Sequence, residues 1–148
     1  MNVSGKRIGI VVSRWNELVV QMLLDGAVDT LRGHGGPETT VAYVPGTWET
    51  PIAAKAMVDA GYDGVIVLGC ILQGATTHAQ MLAEDVSKSL MQIQLESGVP
   101  VTWGVLTPET QEQALERAGL KLGNKGREAA LAAIEMIDVL GQISTDGQ

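Results

Sequence analysis

The spacing of apolar residues along the chain predicts strands that alternate with helices. Runs rich in β-branched residues are typical of strands, and they fall at about 7–12, 39–44, 64–69 and 100–106. Apolar residues at helical spacing predict helices over about 17–31, 49–60, from the loop at 73–77 to 97, from 107–109 to 119, and 127–140. The run at 64–69 is apolar throughout, so we expect a central strand that is covered on both faces.

Caps and breakers indicate where the helices begin and end. Pro51 falls in a first helical turn, which tolerates its missing N–H. Thr107 followed by Pro108 predicts a helix start with Thr107 as the N-cap, and Gly119 ends that helix. The last residues, 144–148, are polar and predict a frayed tail.

This element order predicts the fold class. Strands and helices alternate with no internal repeat and no long linker, so we expect residues 1–148 to form one α/β domain. Right-handed crossovers then give a three-layer, doubly wound, flavodoxin-like sandwich around a four-stranded parallel sheet. Ligands bind such sheets at the carboxyl ends of the strands. The corresponding loops are 13–16, 45–49, 71–78 and 106–109.

Composition excludes several classes of function. The chain has 148 residues and a net charge of −7, with no basic segment to neutralise a nucleic acid. No apolar run is long enough to cross a membrane, and the N-terminus does not resemble a signal peptide, so we expect a cytoplasmic protein. The single cysteine and two separated histidines predict no metal site. A mean hydropathy of +0.15 is high for a small domain and indicates apolar surface buried between subunits.

Two loops carry an aromatic residue beside a polar one. Trp15 and Asn16 follow the first strand, and Trp48 and Glu49 follow the second. Either tryptophan alone is compatible with a core position. Two of them just past strand ends favour a surface on which a flat ring stacks.

The loop at 74–78 combines small residues, hydroxyls and His78 at the start of a helix. Helix N-termini bind anions through their unpaired N–H groups, although a threonine cap with nothing bound fits the pattern equally well. His78 is a candidate proton shuttle or a structural histidine. Further along, Arg117, Lys121 and Lys125 form a local set of cations that either binds a phosphate or is solvated.

Five segments in this order resemble the lumazine synthase family over nearly the whole chain. They are Ser13–Asn16, Val44–Pro51, Leu68–Cys70, Gly74–His78 and Glu116–Gly126. The resemblance implies condensation of 5-amino-6-(D-ribitylamino)uracil with 3,4-dihydroxy-2-butanone 4-phosphate. The products are 6,7-dimethyl-8-ribityllumazine, phosphate and water, and the reaction needs no cofactor.

The resemblance also implies roles for residues in the loops. Trp15, where the family usually has phenylalanine, would stack on the pyrimidine, and Glu49 would hold the ribityl hydroxyls. The remaining substrate-binding positions around the pyrimidine are Asn16, Thr47, Trp48, and the backbone of Ile71 and Leu72.

The phosphate and the proton transfers fall to other positions in the family's arrangement. Gly74, Ala75 and Thr76 would cradle the phosphate. Arg117 would reach it from a neighbouring subunit, whose Trp103 and Lys125 border the site. His78 would be the proton shuttle. The family assembles as pentamers, which in many members close into decamers or icosahedral shells.

This sequence departs from the family pattern close to His78. Gln73 stands where arginine is frequent, and Ala79 and Gln80 replace an aromatic residue followed by an acid. An alternative to the enzyme is therefore a scaffold that keeps the assembly with weak or lost catalysis. A third hypothesis, a flavin- or nucleotide-binding domain of the flavodoxin type, lacks a glycine-rich loop after the first strand.

Overall fold

The computed structural model describes residues 1–75 and 78–146, which form an α/β fold. Its strands are β1 (Arg7–Ser13), β2 (Glu38–Val44), β3 (Gly64–Cys70) and β4 (Val101–Leu106). Its helices are α1 (Glu17–Arg32), α2 (Thr50–Asp59), α3 (Ala79–Ser97), α4 (Gln111–Arg117) and α5 (Lys125–Asp146). Short 3₁₀ turns at Thr47–Glu49 and Gln73–Ala75 precede α2 and α3. Within the described residues, no helix meets the length and apolarity required to span a membrane.

The four strands form one parallel sheet in the order β2-β1-β3-β4. Ile10 of β1 lies beside Val41 of β2 and Ile66 of β3, which sets the register of the two central strands. Every residue of β3 is buried, because β3 has a paired strand on each side and helices over both faces. The predicted central strand is confirmed.

The sheet separates two hydrophobic clusters, because side chains alternate between its faces. Ile10 points into the cluster beneath α1 and α5, where it packs with Leu23 and Ile134. Its neighbour Val11 points into the other cluster, beneath α2 and α3. The predicted three-layer arrangement is therefore observed.

The start of α4 differs from the prediction. The N-cap is Thr110, whose side-chain oxygen accepts a hydrogen bond from the Gln113 N–H at 3.2 Å. The carbonyls of Thr107 and Pro108 instead accept hydrogen bonds from the side chain and the backbone of Gln73, at 2.8 and 3.0 Å. Those carbonyls support another loop and do not begin a helix, so the prediction of Thr107 as the cap was wrong.

Helix α5 is longer at both ends than predicted, since it begins at Lys125 and runs to Asp146. At its start, Asn124 Oδ1 accepts a hydrogen bond from the Arg127 N–H. Asn124 Nδ2 also donates to the carbonyls of Met22 and Ala118, both at 3.0 Å, and so ties α1 and α4 to this end of α5. At the other end, the first residues of the predicted polar tail are helical.

Helices α1 and α5 are in close contact at Gly126, and this contact leads to a testable prediction. A Cβ there would collide with the Leu23 carbonyl oxygen and lie 2.7 Å from the Leu23 carbonyl carbon. We expect Gly126→Ala to lower the free energy of unfolding by about 3 kcal/mol, because backbone would have to move. Denaturant unfolding at a fixed protein concentration measures the change.

Gly141→Ala is the matched control in the same helix. A Cβ at Gly141 meets nothing within 4 Å, so this change should stabilise the protein by about 0.5–1 kcal/mol. Equal effects of the two substitutions would contradict the close packing of α5 on α1.

Candidate functional site

A cleft of about 450 Å³ opens at the carboxyl ends of β1 and β3. The chain passes outward from β1 to β2 and outward on the other side from β3 to β4, so the connections diverge here. Ligands of open parallel sheets bind at such a divergence. The described residues that line the cleft are Trp15, Asn16, Gly46, Thr47, Trp48, Glu49, Cys70, Ile71, Leu72 and Leu82.

Asn16 fixes the loop that follows β1. It has φ 59° and ψ 55°, a left-handed conformation that asparagine tolerates better than most residues. Its side-chain Nδ2 donates to the Cys70 carbonyl oxygen at 2.9 Å, and its own carbonyl oxygen accepts from the Val20 N–H. Asn16 thus joins the end of β1 to the end of β3 and starts α1.

The Asn16 conformation leaves the neighbouring Trp15 outside the core, with 69% of its surface exposed. The Trp15 indole lies against Gly46, where an added Cβ would be 3.0 Å from indole Nε1 and 3.2 Å from Glu49 Oε1. Gly46 is extended, with φ −153°, so glycine is required here for space and not for backbone freedom. The Trp15 ring and the Glu49 carboxylate therefore both lie against Gly46.

The 3₁₀ turn after β2 places its residues around the cleft. Thr50 Oγ1 donates to the Thr47 carbonyl oxygen at 2.7 Å, which holds the turn against the start of α2. Trp48 is 66% exposed, whereas Thr47 is buried at 4% exposure. Two exposed indoles beside one cleft agree with a stacking surface rather than with core positions.

The loop from β3 to α3 is held by the loop after β4. Ile71 N–H donates to the Leu106 carbonyl and extends the strand pairing by one residue. Gln73 then makes two hydrogen bonds: its side-chain amide donates to the Thr107 carbonyl, and its backbone N–H donates to the Pro108 carbonyl. Gly74 and Ala75 complete the 3₁₀ turn that follows. Thr76 lies outside the described residues.

His78 is the N-cap residue of α3 and is exposed. Its carbonyl oxygen accepts a hydrogen bond from the Leu82 N–H at 2.9 Å. Since Leu82 lines the cleft, His78 stands one helical turn from the cleft wall. Of the two residues that follow His78, Ala79 is buried in the core and Gln80 donates to Glu84 Oε1.

Cys70 lines the cleft but is not a reactive thiol. It is 2% exposed, and burial raises the pKa of its thiol to about 11. The thiol is therefore protonated at neutral pH and cannot act as a nucleophile there.

The predicted cations lie in a different place. Trp103, Arg117 and Lys125 line a second cavity, of about 410 Å³, beside the edge strand β4. No arginine, lysine or histidine is among the described residues that line the cleft between β1 and β3. The structure thus brings seven predicted residues together in the first cleft and three in the second cavity.

Sequence reasoning missed Gly46, Cys70 and Leu82 as residues that line the cleft. Leu82 follows His78 by four residues, a spacing at which helical side chains share a face, so this signal was available. The contact of Gly46 with Trp15 joins two different loops and leaves no local pattern.

The pKa of Cys70 leads to a test by alkylation. At pH 8, a thiol with a pKa of about 11 is roughly 0.1% ionised, against about a quarter for an unperturbed thiol. We expect iodoacetamide to label the folded protein at least 100-fold more slowly than the denatured protein, with a rate that climbs as the pH approaches 11. Cys70→Ser is the blank. A folded-state rate that levels off near pH 8.5 would contradict the burial of the thiol.

Comparisons with known proteins agree with this geometry. The family model described as 6,7-dimethyl-8-ribityllumazine synthase matches residues 5–141. A 6,7-dimethyl-8-ribityllumazine synthase of Halorhodospira halophila is 51% identical over 140 residues, which covers 93% of this chain and 90% of the relative. The chain therefore belongs to the 6,7-dimethyl-8-ribityllumazine synthase family.

Proposed function

We propose that this chain is a transferase of riboflavin biosynthesis that makes 6,7-dimethyl-8-ribityllumazine from 5-amino-6-(D-ribitylamino)uracil and 3,4-dihydroxy-2-butanone 4-phosphate. The observation that carries the proposal is the division between the two cavities. One holds exposed indoles and a carboxylate, and the other holds the arginine and lysine that a phosphate requires.

The first cleft suits the pyrimidine substrate. Trp15 offers an exposed indole face for the ring, and stacking on such a face is favourable for any flat heterocycle. Glu49, beside that ring, accepts hydrogen bonds from the ribityl hydroxyls. Asn16 acts by positioning Trp15, because its side-chain amide is engaged with the Cys70 carbonyl.

The remaining residues of the cleft shape the pocket around the pyrimidine. Thr47 and Trp48 form the side that follows β2. The backbone of Ile71 and Leu72 forms the side that follows β3, where main-chain groups are fixed by the strand pairing. Polar groups held this rigidly orient a ligand at little entropic cost.

The phosphate substrate needs groups from the loop before α3 and from the second cavity. Gly74, Ala75 and Thr76 stand before the N-terminus of α3, where N–H groups lack helical partners. The cation that completes the cradle is Arg117 of a neighbouring subunit, since within one chain Arg117 lines the separate cavity beside β4. Trp103 and Lys125 border the shared site from the same side.

The reaction proceeds by condensation and elimination, and it requires no external oxidant or reductant. The 5-amino nitrogen attacks the ketone carbon, water leaves to form an imine, and the phosphate departs with the C–O bonding electrons. The ribitylamino nitrogen then closes the ring, with loss of a second water. His78 moves the protons in these steps, and Arg117 stabilises the charge of the departing phosphate.

A site shared between subunits requires an oligomer, and we propose that this protein is cytoplasmic and assembles through pentamers like its family. Large exposed apolar side chains flank both halves of the site. Near the cleft, Ile52 is 75% and Met81 is 54% exposed, and beside the second cavity Leu122 is 60% exposed. Burial of these side chains against a second copy removes apolar surface from water, which favours assembly.

Turnover tests the proposal directly. The purified protein, incubated with both substrates, should produce lumazine absorbance. Arg117→Ala should raise the KM of the phosphate substrate at least tenfold and alter the KM of the pyrimidine little, because a charged hydrogen bond to phosphate is lost. Lys121→Ala is the matched control, since exposed Lys121 is outside the residues that line the cavity.

An assembled particle without turnover would instead indicate the scaffold hypothesis. Equal effects of Arg117→Ala on the two substrates would contradict the assigned role of Arg117.

Complementation tests whether subunits share the site. His78→Ala alone should slow turnover by about 10²- to 10⁴-fold, because general acid–base catalysis is lost. In a ring co-assembled from equal amounts of His78→Ala and Arg117→Ala chains, about a quarter of the interfaces join an intact cleft to an intact arginine. We expect about that fraction of wild-type activity to return. If the mixture is no more active than its components, each site lies within one chain.

A further inference from the structure

Ser13 is the last residue of β1, and it is a buried polar residue to which the sequence pattern assigned no individual role. It is 0% exposed, and its Oγ has no hydrogen-bond partner. Among the described residues, Ser13 Oγ is the buried side-chain oxygen or nitrogen atom found without a partner. Such a group destabilises a folded protein unless another role compensates, so it requires an explanation.

The position of Ser13 connects it to the cleft. Val11 faces the hydrophobic cluster beneath α2 and α3, and Ser13, two residues further along β1, faces the same layer. Thr47 reaches into this layer from the turn before α2 and lines the cleft. Ser13 thus faces the same layer as Thr47, although Ser13 itself does not line the cleft.

Gly69 of β3 provides the space between the two hydroxyl-bearing residues. A Cβ on Gly69 would lie 3.3 Å from Thr47 Oγ1 and 3.4 Å from Ser13 Cβ. Both side chains therefore border the same small volume. Because Thr47 is 4% exposed and Ser13 is fully buried, only Thr47 can touch a ligand.

We propose that Ser13 is a positioning residue that acts through Thr47 on the polyol arm of the pyrimidine substrate. The Ser13 hydroxyl donates to Thr47 Oγ1 when the substrate is bound, and Thr47 Oγ1 in turn donates to a ribityl hydroxyl beside Glu49. Chains of hydrogen bonds polarise one another, so each bond of this relay strengthens the next. This inference rests on the proposed function of the cleft.

The relay explains why an unpaired hydroxyl is kept in the core. A Thr47 side chain that was already hydrogen-bonded within the protein would have to break that bond to bind substrate. Ser13, whose Oγ has no partner, instead holds its hydroxyl group in reserve, at the expense of stability of the unliganded protein. Binding residues commonly show this opposition between stability and function.

The test compares two ligands and four variants. Quenching of tryptophan fluorescence from Trp15 and Trp48 measures the Kd of 5-amino-6-ribitylaminouracil and of 5,6-diaminouracil, which lacks the polyol. We expect Ser13→Ala to raise the Kd of the ribityl compound about two- to tenfold, the value of one hydrogen bond, and to leave that of 5,6-diaminouracil unchanged. The thermal unfolding temperature of unliganded Ser13→Ala should not fall.

A double-mutant cycle with Thr47→Val tests the route through Thr47. Ser13→Ala should weaken binding no further when Thr47 is already valine, because the relay is then absent. Thr30→Val is the control for loss of a buried hydroxyl elsewhere, since Thr30 Oγ1 donates to the Gly26 carbonyl within α1. It should lower the unfolding temperature and leave both Kd values unchanged.

The outcomes separate this proposal from the proposed function. If the wild-type protein binds both ligands equally well, the polyol site itself is wrong and the relay fails with it. If the wild-type protein prefers the ribityl compound and Ser13→Ala keeps that preference, only the relay is overturned. Additive effects of Ser13→Ala and Thr47→Val, or a lower unfolding temperature of Ser13→Ala, would also overturn it.

Discussion

The parallel pairing of β1 with β3 at the centre of the sheet determines where a ligand can bind. Because both strands point the same way, the loops that follow them emerge at the same edge and then diverge to opposite sides. The divergence of those loops is by itself sufficient to open a cleft between them. The hydrogen bond from Asn16 to the Cys70 carbonyl then fixes the cleft's width, since it joins the two strand ends directly. The two indoles, the Glu49 carboxylate and the Thr47 side chain are all arranged around these joined strand ends.

The separation of charges has a consequence for assembly. The chain carries a net charge of −7, and the cleft that holds Glu49 has no cation among its described lining residues. A phosphate placed there would meet a carboxylate without a compensating charge, which is unfavourable in a partly desolvated site. The positive side chains lie beside β4, at the edge of the sheet. The proposed apposition of one chain's edge with another chain's cleft would resolve this conflict, and in that proposal oligomerisation supplies chemistry as well as stability.

Sequence patterns predicted the fold wherever the determining interactions are local. The apolar run of β3 identified a central strand, and the loops with Trp15 and Trp48 were placed correctly at strand ends. The start of α4 was wrong because the Thr107 and Pro108 carbonyls accept hydrogen bonds from Gln73, more than thirty residues away. The start of α5 was predicted too late in the chain, because Asn124 is fixed by hydrogen bonds to Met22 and Ala118 that a local cap pattern does not contain.

The candidate site shows the same limit more strongly. Residue type alone indicated the indoles, the carboxylate and the imidazole as candidate site groups, because the chemistry of each follows from its side chain. Ser13 and Gly69 have small side chains without distinctive chemistry, and their relation to Thr47 exists only because β1, β3 and the turn before α2 converge.

A reaction that needs orientation and proton transfer, and no redox group, depends on such convergence more than on unusual residues. The buried Cys70 illustrates the point, because the most nucleophilic atom at the cleft is held protonated by its surroundings. In the proposed reaction the substrate's own amine, and not a side chain of the cleft, is the attacking group. The cleft accordingly presents aromatic faces, backbone groups, the Thr47 side chain and the Glu49 carboxylate.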